Sequence, residues 1–264
     1  MFTGLVETIG VVRRLVGSRD AARAQIVTSL RALELGESVN IDGVCLTVDR
    51  ILRDGFEADL SSETLAVSTL SSLAPGARVH VERATPLGGR MGGHTVLGHV
   101  DGVGLVRGTK PIGRAIGLTV SAPFDLARYL APKGSIAISG VSLTLNTISD
   151  ARPPASGANK GSTRQGGTTK RAAGKVEFEV MLVPHTLSKT TLGSLAPGSK
   201  VNIEVDVLAR YVMRQLEVGV TPASSAWASA HAARQDEEEK DDVDDTRSGH
   251  DERILAKLRA GGYT

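Results

Sequence analysis

The chain repeats itself, and this internal duplication constrains its fold more than any other feature. The block Gly43–Thr47 recurs 97 residues later as Gly140–Thr144, and Ser72–Gly76 recurs unchanged 122 residues later as Ser194–Gly198. Three further pairs are colinear with these: Gly4–Glu7 with Gly98–Asp101, Glu63–Leu65 with His185–Leu187, and Val79–Glu82 with Val201–Glu204. We therefore expect the 264 residues to form two homologous domains of ordinary size.

Each half alternates apolar and polar residues with a period of two, as in Ser38–Asp42 and Val176–Val180. Turns rich in Gly, Pro and Ser separate these runs, which is typical of short strands with one buried face. A sheet of five or six strands in about 95 residues must close or be covered to remove its edges. The pattern thus predicts tandem small barrels, with short helices at 62–68, 123–130 and 186–190.

An insertion interrupts the second repeat. The offset between matching blocks grows by 25 residues across the segment 150–174, which is rich in Gly, Ser, Thr and Lys. Six basic residues and no acidic residue lie between 152 and 175. This composition is typical of a flexible linker, and strand-like runs flank it, so we predict an enlarged hairpin loop.

A helix is predicted after the second repeat. Apolar positions recur there at spacings of three and four, and one face is largely apolar, formed by Val207, Leu208, Tyr211, Val212, Gln215 and Leu216. This helix either folds back on its own barrels or packs against copies of itself. The following segment holds eight acidic residues against Lys240 between 236 and 245, which is typical of a solvated tail.

Composition excludes several classes of protein. The net charge of +2 gives no general attraction to nucleic acid or membranes. No apolar run approaches the roughly 18 to 20 residues that span a bilayer, and no signal sequence follows Met1. The single cysteine, Cys45, cannot form an internal disulfide. We expect a cytoplasmic protein.

Several motifs together resemble the riboflavin synthase family, over residues 1 to about 216 apart from the insertion. They are Met1–Glu7, Gly43–Thr47, Gly92–His94 followed by Gly98–Gly102, and Asn202–Asp206. The resemblance implies an all-β fold of two tandem homologous six-stranded Greek-key barrels with a C-terminal α-helix. The implied domains are 1–97, 98–205 with the inserted loop, an oligomerisation helix at 206–220, and an acidic, disordered tail at 221–264.

The resemblance also implies an activity and an assembly. The family is a transferase that makes riboflavin and 5-amino-6-ribitylaminouracil from two molecules of 6,7-dimethyl-8-ribityllumazine, without metal or redox cofactor. A homotrimer is implied, joined by the C-terminal helices, with each site between the N-terminal barrel of one subunit and the C-terminal barrel of another. An association with lumazine synthase stays open.

The lumazine-binding residues that the resemblance implies fall into two sets. The first barrel is expected to contribute Gly4, Leu5, Val6, Cys45, Leu46, Thr47, Leu60, Ser61, Ser62, Glu63, Thr64 and Leu65. The second barrel is expected to contribute Gly98, His99, Val100, Lys133, Ser142, Leu143, Thr144, Leu182, Val183, Pro184, His185, Thr186 and Leu187. His185 stands where the family commonly has an acidic residue.

The catalytic candidates are His99, Cys45 and Ser142. Two like substrates must face each other in opposite orientations, which a duplicated barrel provides through an approximate twofold axis. Proton transfer from the acidic C7 methyl group calls for a histidine, for which His99 is the candidate. Cys45 and Ser142 occupy equivalent positions and prepare the acceptor ring differently. His94 follows two glycines, which favours a turn residue over a site residue.

Two hypotheses from other classes compete with an enzyme. A lumazine- or flavin-binding protein without activity would use the same duplicated barrel, but it would be free to lose one repeat, whereas both halves here keep the Gly-Val-x-Leu-Thr block. A structural trimer with an acidic interaction tail has no supporting feature besides that tail. Consumption of lumazine distinguishes the enzyme from both.

Overall fold

A computed structural model describes residues 1–18, 20–151 and 174–219 of the chain. The chain divides into two compact units, Met1–Met213 and Arg214–Thr264, and both repeats lie in the first. Residues 152–173 of the predicted loop and the predicted acidic tail lie outside the described residues.

The first half is a sheet of seven antiparallel strands. They are β1 (Thr8–Gly17), β2 (Ala21–Val27), β3 (Ser38–Ile41), β4 (Val44–Thr47), β5 (Arg50–Leu52), β6 (Gly55–Ser61) and β7 (Arg78–Arg83). Their order in the sheet is β4-β3-β7-β1-β2-β6-β5. The pairing of β2 with β6 and of β1 with β7 joins strands that are distant in sequence, as in Greek-key folds.

The second half is a closed six-stranded barrel, as predicted. Its strands are β8 (Gly102–Ile112), β9 (Ala115–Pro123), β10 (Ser135–Ile138), β11 (Val141–Ala151), β12 (Lys175–Leu182) and β13 (Lys200–Val205). The order around the barrel is β10-β11-β12-β9-β8-β13. Strands β11 and β12 pair antiparallel up to Ala151 and Lys175, so the insertion joins the two strands of a hairpin.

The halves share one strand order, with a single difference. Strands β4 and β5, at the two ends of the first sheet, together occupy the place that β11 holds in the barrel. The break falls where the Val48 N–H donates to the Glu37 carbonyl while the Asp49 N–H donates to the Glu57 carbonyl, both at 2.9 Å. The chain passes from one neighbour to the other there, and its strand is divided into β4 and β5, so the first half has seven strands in an open order instead of the predicted closed six-stranded barrel.

Each half buries its own apolar core. In β12, Val176, Phe178, Val180 and Leu182 point inward and are at most 2% exposed, as the period of two predicts. A third, small cluster joins the halves, in which Phe2, Val96 and Ala137 are buried and Cys45 and Ala84 pack against them.

The predicted helices are present, with one difference. Helices α1 (Ser62–Val67) and α2 (Pro184–Lys189) occupy equivalent places in the two halves, whereas the segment Phe124–Tyr129 is a 3₁₀ helix. The Ser61 hydroxyl caps α1 by accepting a hydrogen bond from the Thr64 N–H at 3.1 Å. Among the described residues no helix combines the length and the apolar character needed to cross a membrane.

The C-terminal helix α3 (Val207–Glu217) carries an exposed apolar face. None of its residues is buried, and Leu208, Tyr211 and Val212 are 67%, 66% and 58% exposed. Of the two alternatives left open by the sequence, packing of this face onto the chain's own barrels is therefore not observed among residues 1–18, 20–151 and 174–219.

Candidate functional site

Two short segments run across from one half to the other at equivalent places. The Ser142 N–H donates to the Gly4 carbonyl at 2.9 Å, and the Cys45 N–H donates to the Gly98 carbonyl at the same distance. Each contact thus joins the segment that precedes one half to a strand of the other half. An approximate twofold axis therefore relates two equivalent sites, as the duplicated sequence predicts.

This crossing corrects the expected grouping of the site residues. Gly4–Val6 were predicted to serve the first barrel and Gly98–Val100 the second. Instead, Val6 packs against the core of the second half and Val100 against the core of the first. The predicted grouping followed the order of the segments along the chain. Each segment precedes its own half, yet it pairs with a strand of the other half.

Both crossing points require glycine. Gly4 and Gly98 have φ angles of +74° and +78°, which side chains rarely adopt. A Cβ atom would lie 2.6 Å from the Cβ of Ser142 at Gly4, and 2.7 Å from that of Cys45 at Gly98. The close approach of backbone to strand therefore depends on the missing side chain.

Two buried carboxylates hold the crossing segments in place. Glu82 accepts hydrogen bonds from the N–H groups of Thr3 and Gly4 at 2.7 and 3.1 Å. Glu204 accepts from three consecutive N–H groups, those of residues 97–99, at 2.7, 3.0 and 3.2 Å. Burial raises the pKa of both carboxyls, and the hydrogen bonds oppose that shift. The sequence marked Glu82 and Glu204 only as a repeated pair, without a role.

Replacing Glu204 by Gln should release the segment 97–99. The amide has a single acceptor oxygen, and its NH₂ group would face backbone donors, so at least one buried N–H loses its partner. We expect a loss of about 1–3 kcal/mol in the free energy of unfolding, measured by chemical denaturation. Glu177→Gln is the control, because Glu177 forms an exposed ion pair with Arg107 and its loss should cost far less. Equal effects of the two variants would contradict this role for Glu204.

The second-half site contains a hydroxyl paired with an imidazole. The Ser142 Oγ lies 2.7 Å from the Nδ1 of His94, whose Nε2 is buried and has no hydrogen-bond partner among the described residues. Burial lowers the pKa of His94 below its ordinary 6.5, and the charge of Asp206 opposes this shift. A neutral imidazole next to a hydroxyl is suited to accept its proton. His94, which the sequence favoured as a turn residue, thus contacts a predicted catalytic residue.

The first-half site contains Cys45 and His99. Cys45 is half-buried and packs against the cluster of Phe2 and Val96. His99 is exposed, and its N–H bonds to Glu204. In the described part of the chain, the His99 imidazole forms no hydrogen bond with Cys45 or Ser142. Catalysis by His99 stays a prediction.

The remaining predicted binding residues differ in exposure. The side chains of Leu46, Leu60, Leu65, Leu143 and Leu182 lie in the apolar cores and are at most 8% exposed. Exposed side chains belong to Leu5, Thr47, Ser61, Ser62, Glu63, Lys133, Thr144, Val183, Pro184 and His185, and half-buried ones to Thr64, Thr186 and Leu187.

A cavity of about 560 Å³ opens beside α1 in the first half. It includes Ser62 and Leu65 from the predicted set but neither Cys45 nor Ser142, and its other lining residues are Leu15, Gly17, Ser18, Ala22, Ala66 and Ser71. Four of these six come from the β1–β2 hairpin or the turn joining its strands, which the sequence did not indicate as part of a site.

Comparison with known proteins agrees with this duplicated architecture. The model of the lumazine binding domain matches the chain twice, at residues 3–84 and 97–206. The fold and the pair of related sites thus define a protein with two lumazine-binding domains.

Named relatives narrow this class further. The chain is 42% identical over 217 residues to riboflavin synthase of Mycobacterium tuberculosis (strain H37Rv), an alignment that covers 81% of this chain and 97% of the relative. It is 38% identical over 221 residues to that of Brucella abortus, covering 81% and 97%, and 32% identical over 218 residues to that of Bacillus subtilis, covering 82% and 90%. The chain belongs to the riboflavin synthase family.

Solved structures support the fold alone. The crystal structure of LumP complexed with riboflavin aligns with a TM-score of 0.62 at 23% identity, covering 78% of this chain and 99% of LumP. LumP complexed with 6,7-dimethyl-8-(1'-D-ribityl) lumazine aligns with a TM-score of 0.61 at 22% identity, with the same coverage.

Proposed function

We propose that this chain converts two molecules of 6,7-dimethyl-8-ribityllumazine into riboflavin and 5-amino-6-ribitylaminouracil by moving a four-carbon unit between them. The observation that carries the proposal is the exchanged pair of contacts, Gly4 with Ser142 and Gly98 with Cys45. Membership of the family and the identity to named riboflavin synthases support it.

A duplicated site suits a reaction between two identical substrates. Two concave surfaces related by a twofold axis hold like molecules in opposite orientations, which is the arrangement in which carbon passes from one ring to the other. Such positioning contributes roughly 7 to 11 kcal/mol by converting an encounter into an intramolecular step. The equivalence of the two sites is therefore part of the catalyst.

The chemistry needs a proton acceptor and a group that prepares the acceptor ring. Loss of a proton from the C7 methyl group of one lumazine gives a stabilised carbanion, which attacks the other ring. With Nδ1 unprotonated, His94 accepts the Ser142 hydroxyl proton and turns that oxygen into a nucleophile. We assign preparation of the acceptor ring to Ser142 and His94, and we assign acceptance of the C7 proton to His99, which lies with Cys45 in the first-half site. Thr47, Thr144 and Lys133, all exposed, supply hydrogen bonds and positive charge to the substrate.

The direct test is incubation of the full chain with 6,7-dimethyl-8-ribityllumazine and no other reagent. Riboflavin and 5-amino-6-ribitylaminouracil should appear in equal amounts, measured by chromatography, while a protein-free sample shows neither at that rate. Binding of lumazine without consumption would overturn the proposal and favour a binding protein. Riboflavin without its co-product would contradict the transfer of a four-carbon unit.

We further propose that the protein acts in the cytoplasm as a homotrimer joined through α3. The exposed Leu208, Tyr211 and Val212 support this assembly, since an apolar stripe of this kind usually packs against a partner. In a trimer, the first-half site of one subunit faces the second-half site of another, and this contact brings the two lumazines together.

Leu208→Glu should dissociate the trimer and lower activity with it, because a charge in an apolar contact is costly to bury. The mass from light scattering should fall from three chains to one, and riboflavin formation should fall in the same preparations. Arg214→Glu is the matched control, since its side chain is 68% exposed and lies away from the stripe. A Leu208→Glu protein that stays trimeric would refute this contact.

A further inference from the structure

Two equivalent turns abut where the halves meet. Asp42–Gly43 joins β3 to β4 and Ser139–Gly140 joins β10 to β11, and all four residues have positive φ. A Cβ at Gly43 would lie 2.8 Å from the N of Gly140, and one at Gly140 would lie 2.8 Å from the N of Gly43. Each turn leads directly into the strand that carries Cys45 or Ser142. We call the two abutting turns the seam.

His80, on β7, reaches from the first half into the second. Its Nδ1 lies 2.8 Å from the carbonyl oxygen of Ser139, and its Nε2 lies 2.9 Å from the N of Thr191. The residue is 2% exposed, so water does not substitute for these partners. His80 therefore connects its own strand to a seam turn and to Thr191, which precedes the 3₁₀ helix Leu192–Ser194 in the other half.

Asn202, on β13, makes the reciprocal connection. Its Nδ2 donates to the Asp42 carbonyl at 2.8 Å, and its Oδ1 accepts from the Thr69 N–H at 2.7 Å. Asn202 is 1% exposed. Residues 80 and 202 match in the repeat, as do 69 and 191, so two different side chains make the same pair of bonds across the twofold axis.

We propose that His80 and Asn202 are paired positioning residues that hold the seam, and thereby fix the positions of Cys45 and Ser142 in their sites. Neither touches a site residue in the contacts described above, so each acts through the turn it binds. An asparagine presents one donor and one acceptor, and His80 does the same only as the neutral tautomer with its proton on Nδ1. The Asp42 carboxylate, with Oδ1 3.3 Å from Nδ1, also favours a proton on that nitrogen by its charge.

The opposite tautomer would not fit. It would set the bare Nδ1 against the Ser139 carbonyl oxygen and an Nε2 proton against the Thr191 N–H, with the Thr191 Oγ1, 3.0 Å away, as the one acceptor near Nε2 among the described contacts. Correlation of ring protons with ring nitrogens by NMR, on protein labelled with ¹⁵N histidine, reads the tautomer directly. His80→Asn identifies the His80 signals by removing them. We expect a protonated Nδ1 and a bare Nε2, and a proton on Nε2 would overturn the proposal.

The kinetic test rests on the proposed function. His80→Ala should lower kcat about tenfold to 100-fold, with a smaller change in KM, since a displacement of about 1 Å at reacting groups has that effect. His80→Asn should restore most of the lost kcat, because Asn202 shows that an amide makes the same two bonds at the equivalent position. Thermal unfolding of each variant identifies temperatures at which all are folded.

The outcomes separate the two proposals. A His80→Ala protein that is folded and retains full kcat, or a His80→Asn protein that is impaired as severely, would overturn the positioning role. If His80→Ala does not fold, the ring NMR of the wild-type chain and the kcat of His80→Asn still test the positioning role of His80. A wild-type chain that forms no riboflavin would refute the proposed function, while the NMR result still decides whether His80 holds the seam as described.

Discussion

Replacing His94 by Ala should lower kcat by about 10²- to 10⁴-fold and leave lumazine binding largely intact. The reason is the 2.7 Å contact between its Nδ1 and the Ser142 Oγ, which gives the hydroxyl a base positioned within the protein. Steady-state kinetics with lumazine alone gives kcat, and quenching of lumazine fluorescence gives affinity. An unchanged kcat would remove His94 from the mechanism.

A double-mutant cycle provides the sharper control. If His94 acts through Ser142, then the chain carrying both His94→Ala and Ser142→Ala should be no slower than the slower single variant, because residues that act as a unit are not additive. Independent, multiplying losses would contradict the pair. His99→Ala belongs in the same series, since it tests the histidine that the sequence favoured.

The pH dependence follows from the same geometry. Burial lowers the pKa of His94, so the imidazole stays neutral and able to accept a proton at pH values where an exposed histidine is already charged. The acidic limb of the profile of kcat/KM should therefore lie below about pH 6.5, the ordinary value for histidine. An acidic limb above that value would indicate a different group.

Replacing Gly4 by Ala should cost about 2–5 kcal/mol in the free energy of unfolding. Part of this loss is backbone strain at a φ of +74°, and the rest is overlap with the strand of the other half, 2.6 Å from the new Cβ. Riboflavin formation should fall at least tenfold even where the variant is folded, because the Ser142 strand must move.

Gly76→Ala separates these two causes. Gly76 has a φ of +90°, and a Cβ added there would have no atom within 4 Å, so its substitution brings strain without overlap. We expect a loss of about 1–2 kcal/mol there and unchanged kcat. The difference between the variants, measured by chemical denaturation, reports the close approach of the halves. Equal losses would mean that the crossing contact contributes nothing.

Much of the architecture was predictable from local patterns. The alternation in β12 predicted its buried face, the matching blocks predicted a shared strand order, and the spacing after Asp206 predicted α3. Such features follow from the sequence because burial of one strand face, or one helix face, depends on residues close together along the chain.

The site was predicted less completely. Cys45 and Ser142 were predicted as catalytic candidates because the repeat placed them at equivalent positions, and both lie at the crossing contacts, whereas Glu82 and Glu204 were given no role. A glutamate in an alternating strand is ordinarily a solvent-facing residue, and these two are 4% exposed. Their burial is tolerated because three donors from a crossing segment compensate each charge, and for Glu82 one of the three is the Thr3 hydroxyl. A repeated acid within an apolar strand was the available indication.

The amino-acid sequence by itself determined that this protein has two homologous β domains, a terminal amphipathic helix and one Gly-Val-x-Leu-Thr block in each half. Only the tertiary structure decided that Gly4 lies against Ser142 and Gly98 against Cys45, and that His94 bonds to Ser142. The physical reason is that local periodicity specifies which face of an element is buried. Which half a connecting segment docks on depends on contacts between residues far apart in the chain.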